Sequence, residues 1–155
     1  VSESFFRLTP ERVLRAVEAG GLRPTGHCSP LVCLENRVYD VRLEDGTHVV
    51  AKFYRPGRWS REAILDEHRF LADLRRAEIP VCAPIPFADG ETLHAAHGIH
   101  YAVWRRTGGR APDELRDDEI ALLVAAAFAS SARSASGSGG GLPERLLGAL
   151  PVLVT

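Results

Sequence analysis

Neither sign of charge dominates this sequence. Nineteen lysines and arginines stand against twenty acidic residues, a net charge of −1, which removes nucleic acid and anionic membrane from the expected partners. Cysteine is scarce. Cys28, Cys33 and Cys82 form no C-x-x-C pair, and an odd number with no visible signal peptide argues against a disulfide framework. The cysteines therefore read as core residues, and the cytoplasm as the expected location. No apolar run approaches the roughly 20 residues that span a bilayer. G-x-S-x-G, H-E-x-x-H and G-x-x-x-x-G-K-S/T are all missing, which removes the common hydrolase, metallopeptidase and P-loop readings.

What is present is enough for one ordinary domain or one lobe of a larger one: 155 residues, 45% hydrophobic and 25% charged. Thr9-Pro10-Glu11 predicts a helix start, with Thr9 as N-cap, Pro10 at the first helical position and Val13, Leu14 and Val17 as the apolar stripe. Gly20-Gly21 end it, and Leu22 to Cys28 reads as a loop. From Leu31 the period changes to two. Leu31–Leu34, Val38–Leu43 and His48–Tyr54 predict three strands, the last two joined at Asp45-Gly46 as a hairpin. Lys52 then lies on the third strand of an antiparallel meander, inside the apolar run Val49-Val50-Ala51-Lys52-Phe53-Tyr54. A buried ammonium needs an anion or a carboxylate.

Ser60 is the expected N-cap of a helix running to about Ala77, ended by Ile79-Pro80. At about 100° per residue, Ala63, Ile64, Phe70, Leu71 and Leu74 share one arc with Glu67 near its centre, and His68 at its rim. Glu62 and Asp66 point elsewhere. A carboxylate inside a core-facing stripe has the same need as Lys52, so the two are expected to pair. The alternative puts Glu67 at an exposed edge of a partly covered helix. Val81 to Pro86 suits an edge or an extended connection. Glu91–Leu93 and Ile99–Trp104 read as two further strands, and Asp113–Val124 as a helix. His94, His97 and His100 have H-x-x-H spacing, but on strand and turn residues three apart face opposite ways, so they read as ordinary loop histidines.

From Ala121 to Thr155 there are eight alanines, five serines and five glycines, against three charged residues, Arg133, Glu144 and Arg145. Within this stretch Ser134–Gly141 reads as a flexible linker, too polar and too glycine-rich to offset its ordering entropy. The fold class is α+β: an about five-stranded, mainly antiparallel sheet with a preceding helix and one packed helix. The expected division is 1–110 as this lobe, 111–128 as a linking helix and 129–155 as the tail.

A strand lysine followed by a helix carrying a buried glutamate is how kinase-type folds hold the α- and β-phosphates of ATP, although a Lys–Glu pair can also be purely structural. Beyond that generic pair, five motifs occur in order: Glu35-Asn36-Arg37-Val38-Tyr39; Lys52-Phe53-Tyr54-Arg55-Pro56 with Arg58-Trp59; Ile64-Leu65-Asp66-Glu67-His68; Ile79-Pro80-Val81 with Ala83-Pro84; and Gly108-Gly109-Arg110. Together they resemble the bacterial stress-response kinase A family, Ser/Thr protein kinases of the aminoglycoside-phosphotransferase and choline-kinase-like fold, over roughly Phe5 to Val124. The resemblance implies an ATP-binding N-terminal lobe that uses Mg²⁺ and phosphorylates protein Ser/Thr when complete. It makes Lys52 the phosphate-gripping lysine and Glu67 its partner. It puts Leu34–Val38, with Glu35, Asn36 and Arg37, over the phosphates, and the backbone of Val103, Trp104 and Arg105 against the adenine.

The catalytic Asp, the metal-binding Asn and the further Mg²⁺-holding Asp of such folds belong to a second lobe, and no H-x-D-x-x-x-x-N-like segment occurs here. The expectation is a truncated or frameshifted chain that binds ATP weakly and catalyses nothing, with no catalytic residue and no metal ligand of its own. A small-molecule kinase lobe of the aminoglycoside or choline type, and a noncatalytic interaction module, stand as alternatives.

Overall fold

The computed structural model describes residues 5, 6, 8–79 and 81–108. The expected helix at 113–124, the linking helix, the tail and most of the Gly108-Gly109-Arg110 turn lie outside the described residues. Those described fall into two compact units. One comprises the chain up to Leu65 together with Pro84–Arg106; the other comprises Asp66–Ala83 and continues from Thr107.

The first unit is built on helix α1 (Pro10–Ala19) and five antiparallel strands: β1 (Pro24–Leu31), β2 (Arg37–Leu43), β3 (His48–Phe53), β4 (His94–Ala96) and β5 (Ile99–Arg105), in spatial order β1-β2-β3-β5-β4. Helix α1 begins as its sequence dictates. Thr9 is the extended N-cap and Pro10, which has no N–H to lose, takes the first position. It ends where Gly21, at φ +89°, turns left-handed and meets Ala88 so closely that an added Cβ would lie 2.6 Å from the Ala88 Cβ.

Registers fix which side chains share a face. Tyr39 pairs with Ala51 and Ala51 with Val103; Val41 pairs with Val49; Phe53 pairs with Tyr101. Residues directly opposite lie on the same side of the sheet, so these seven form one surface. It is the core face, packed with Val13, Ala16 and Val17 of α1 and with Phe87. Phe53 stacks on Tyr101 at 5.2 Å between ring centroids and meets Tyr39 edge-on at 6.2 Å. The two tyrosine hydroxyls donate to backbone carbonyls, Tyr39 to Leu8 at 3.1 Å and Tyr101 to Ala16 at 2.7 Å, which ties α1 and its lead-in to the sheet.

Burial pushes the Tyr101 hydroxyl up from 10.0 to about 12, and raises Tyr39 in the same direction. Above pH 10 the unfolded chain releases these protons while the folded chain holds them. Stability is thus fully present below pH 10 and falls as pH rises toward about 12 for Tyr101. The expected result is an unfolding midpoint in urea that drops across this window, with Tyr101→Phe flattening the drop.

Three expectations need correction. The first strand is Pro24–Leu31, not Leu31–Leu34. Its Thr25, His27 and Ser29 give no apolar alternation because it is a largely exposed edge strand, irregular between Pro24 and Cys28. The short fourth strand is His94–Ala96 rather than Glu91–Leu93: the Asp89-Gly90 turn uses Glu91, whose carbonyl accepts from Phe87 and whose N–H donates to Asp89. The three cysteines are free and only partly buried; Cys28 packs against the core without being wholly inside it.

Helix α2 (Arg61–Arg76) runs from the first unit into the second. The Ser60 hydroxyl accepts the Ala63 N–H at 3.2 Å, the N-cap bond its sequence announces. Ile64, Glu67, His68, Phe70, Leu71 and Leu74 are buried along it. Ala63 is exposed instead of sharing the stripe, and His68 is buried rather than at its rim. No helix among the described residues is long and apolar enough to cross a membrane.

Candidate functional site: the Lys52 face of the sheet

The side of the sheet opposite the core carries its two buried charged residues, Lys52 and Asp40. Lys52 pairs with Val38 on β2 and with Ala102 on β5, and Val38 pairs with Leu31 on β1. Leu31, Val38, Lys52 and Ala102 therefore make one row across four strands. The next row is Ser29, Asp40, Val50 and Trp104. A lysine in the alternating strand Val49–Phe53 has to project away from Val49, Ala51 and Phe53, and those three are in the core.

The composition sharpens the point. Of nineteen lysines and arginines, eighteen are arginine, and Lys52 is the sole lysine in the chain. Everywhere else a cation is carried by the planar, strongly basic guanidinium; here the chain uses a compact point charge on a flexible stem. Lys52 as a whole is 6% exposed, and its ammonium has two aromatic neighbours. The ammonium lies 4.6 Å from the ring centroid of Tyr54 and 5.5 Å from that of Trp104. Such contacts contribute about 0.5–1 kcal/mol at exposed sites and about 2 kcal/mol or more when desolvated. Sequence reading missed both rings, although Tyr54 two residues after Lys52 was a signal for the same face.

Asp40 is the second buried charged residue on this face. It is buried, and its carboxylate meets His48 Nδ1 at 3.0 Å and Arg106 at 2.9 Å. With the Arg106 N–H donated to the His48 carbonyl at 3.1 Å, the segment leaving β5 is fastened across β3 to β2. The alternation of Val38-Tyr39-Asp40-Val41 could have shown Asp40 on the side of Lys52, but not Arg106, which is 66 residues away.

The loop of residues 32–36 joins β1 to β2 beside this row, so of the expected segment Leu34–Val38 the last two residues, Arg37 and Val38, already belong to β2. The Asn36 side-chain oxygen accepts the Arg55 N–H at 3.2 Å and Asn36 is buried; Glu35 reaches Arg58 at 3.1 Å; the Arg37 guanidinium lies over Phe6 at 5.8 Å. All three expected loop residues thus brace the loop, while Val32 and Leu34 at its tip are fully exposed. Removing the Asn36 acceptor strands the Arg55 N–H, so Asn36→Ala is expected to cost about 1–2 kcal/mol in chemical denaturation, with Asn36→Asp recovering most of it.

On β5, Val103 sends its side chain into the core and its carbonyl to the Ile85 N–H at 2.8 Å. Trp104 is buried on the Lys52 side, and Arg105 is exposed at the strand end. Glu67 belongs to the second unit and is 8% exposed, buried as its place in the helix stripe predicts. His94 pairs with Tyr101 on the core side, stacks on Phe87 at 4.1 Å and bonds Asp89, whereas His100 is on the other face and His97 sits in the turn at φ +54°. Among the described residues no group of three His, Cys, Asp or Glu could hold a metal ion.

Comparison with known proteins gives the family and the fold. The model of the phosphotransferase enzyme family matches residues 33–145, which runs beyond Val124. The chain is 44% identical over 107 residues to stress response kinase A of Salmonella choleraesuis, and 41% identical over the same length to that of Escherichia coli strain K12. It is 43% identical to a protein of Salmonella typhimurium named serine/threonine protein kinase RdoA. Each alignment covers 69% of this chain and 32% of the relative, so the chain spans about a third of the length of those relatives.

Two solved structures share the fold. One is the amicoumacin kinase hAmiN in complex with AMP-PNP and Ca²⁺, at a TM-score of 0.65 and 21% identity, covering 92% of this chain and 45% of that one. The other is a microcompartment-associated aminopropanol kinase, at 0.55 and 21%, covering 83% and 42%. With a match over most of its length and a sheet built to present one lysine, the chain belongs to the phosphotransferase enzyme family as its N-terminal, kinase-like lobe.

Proposed function

We propose that this chain is the ATP-binding part of a Ser/Thr protein kinase, and that Lys52 grips the α- and β-phosphates. The observation that carries the reading is the position of the sole lysine. It stands at the middle of a sheet face, in a row whose other members, Leu31, Val38 and Ala102, are all apolar, with Asp40 in the next row. Phosphoryl transfer depends on positioning and charge stabilisation, which is what a fixed cation supplies.

In this reading Glu67 is the carboxylate partner of Lys52. The braced loop of Glu35, Asn36 and Arg37 lies over the phosphates, and the backbone of Val103, Trp104 and Arg105 meets the adenine. The nucleotide's divalent cation, which we take as Mg²⁺, finds no ligand cluster among the described residues. The protein hydroxyl as acceptor is supported by the relatives named as stress response and serine/threonine kinases.

A second reading, a small-molecule kinase, is favoured by the solved structures, which are named for amicoumacin and aminopropanol. To separate them, protein carrying this chain together with the length its relatives have beyond it is given ATP labelled at the γ-phosphate, with protein substrates in one arm and small amino alcohols in the other. Label on protein serine or threonine is expected. Label confined to the small hydroxyl compounds would transfer the assignment to the second reading.

A further inference from the structure

We infer that Tyr54 and Trp104 are positioning residues for Lys52: their rings bracket the ammonium and present it to phosphate in one fixed direction. The inference rests on Lys52 as the phosphate-gripping residue, but the bracket itself is a matter of geometry. Tyr54 follows Lys52 by two residues, continues the same side of the strand, and hydrogen-bonds through its N–H to the His100 carbonyl at 2.9 Å. Trp104 reaches from β5. Its direct partner is Val50, which makes it the diagonal neighbour of Lys52, close enough for a long ring to bridge.

The residue that does stand opposite Lys52 is Ala102, which offers only a methyl group and no ring. Both rings are buried, Tyr54 at 3% and Trp104 at 3% exposure. A lysine stem has four rotatable bonds and a strongly hydrated head. Two ring faces within 6 Å restrict that head and, through their negative quadrupoles, favour its charged form. An aliphatic residue of similar bulk would fill the volume without doing either.

Phenylalanine keeps the ring face and leucine only the bulk, so the comparison between them separates a charge-positioning role from simple packing. Binding of ATP, inorganic tripolyphosphate and adenosine to the 155-residue chain is measured by titration calorimetry for the wild type, Lys52→Ala, Trp104→Leu, Trp104→Phe, Tyr54→Leu and Tyr54→Phe. Each variant is first checked for cooperative unfolding. The leucine variants are expected to lose about tenfold in affinity for ATP and tripolyphosphate, while the phenylalanine variants stay within about threefold of wild type. If one position does not tolerate leucine, the pair at the other position carries the same comparison.

Equal losses for leucine and phenylalanine, or a loss confined to adenosine, would overturn the inference. Wild-type ATP binding by Lys52→Ala would instead overturn the phosphate reading. The bracket is then decided by the rate at which a succinimidyl ester acylates the single lysine, read by mass spectrometry. Faster acylation in the leucine than in the phenylalanine variants supports it; equal rates reject it.

Discussion

Replacing Lys52 by alanine is expected to abolish the stabilisation of this chain by Mg-ATP. A hydrogen bond to a charged group contributes about 1.5–3 kcal/mol, and each 1.4 kcal/mol is a factor of ten in affinity. Loss of the ammonium should therefore weaken ATP binding by roughly ten- to a hundredfold. At an ATP concentration ten times the wild-type dissociation constant, linkage gives the wild type about 1.4 kcal/mol of added stability; a hundredfold weaker variant keeps less than about 0.1 kcal/mol. Thermal unfolding with and without Mg-ATP reads this directly. Lys52→Arg should not restore the effect, because a rigid planar fork does not occupy the place of a point charge bracketed by two rings. An undiminished shift in Lys52→Ala would remove Lys52 from the phosphate site.

The largest effect on folding is expected one residue further along the same strand. Phe53 is wholly buried, stacked on Tyr101 and edge-on to Tyr39 at the centre of the core face. Phe→Ala at such a site costs about 3–5 kcal/mol, against a total stability of about 5–15 kcal/mol for a native domain. Phe53→Ala should therefore lower the denaturation midpoint by about a fifth or more, or leave the chain unfolded. Leu34 is the contrast: it is just as apolar but fully exposed at the β1–β2 loop, so Leu34→Ala should stay within about 0.5 kcal/mol. Guanidinium denaturation of both variants checks the pair, and comparable losses would mean that the core has been misplaced.

These two residues also show what the sequence discloses and what it withholds. The alternation Val49-Val50-Ala51-Lys52-Phe53 placed Lys52 and Phe53 on opposite faces of a third strand. The Asp45-Gly46 hairpin, the Thr9-Pro10 helix start and the Ser60 cap were legible for the same reason, since each is local chemistry. Glu67 was legible as a buried carboxylate because helical period is local too.

The edge strand β1 was not legible. An exposed strand carries no apolar alternation, and its Gly26, Pro24 and Pro30 speak for a loop. Trp104 beside Lys52, and Arg106 at Asp40, were hidden by distance along the chain. Only the strand order, with β5 inserted next to β3, brings them there.

The account's central claim is that ATP meets the face of the sheet that carries Lys52. Methyl-resolved NMR of the chain during an ATP titration tests this most directly, because both faces carry methyl reporters at known register. Val38, Ala102 and Leu31 flank Lys52, whereas Val41, Val49 and Val103 lie on the core side. The account predicts saturable shifts of the first three methyl sets, with the core set unmoved. Shifts centred on the core set, or no saturable shift at any of the six, would contradict it.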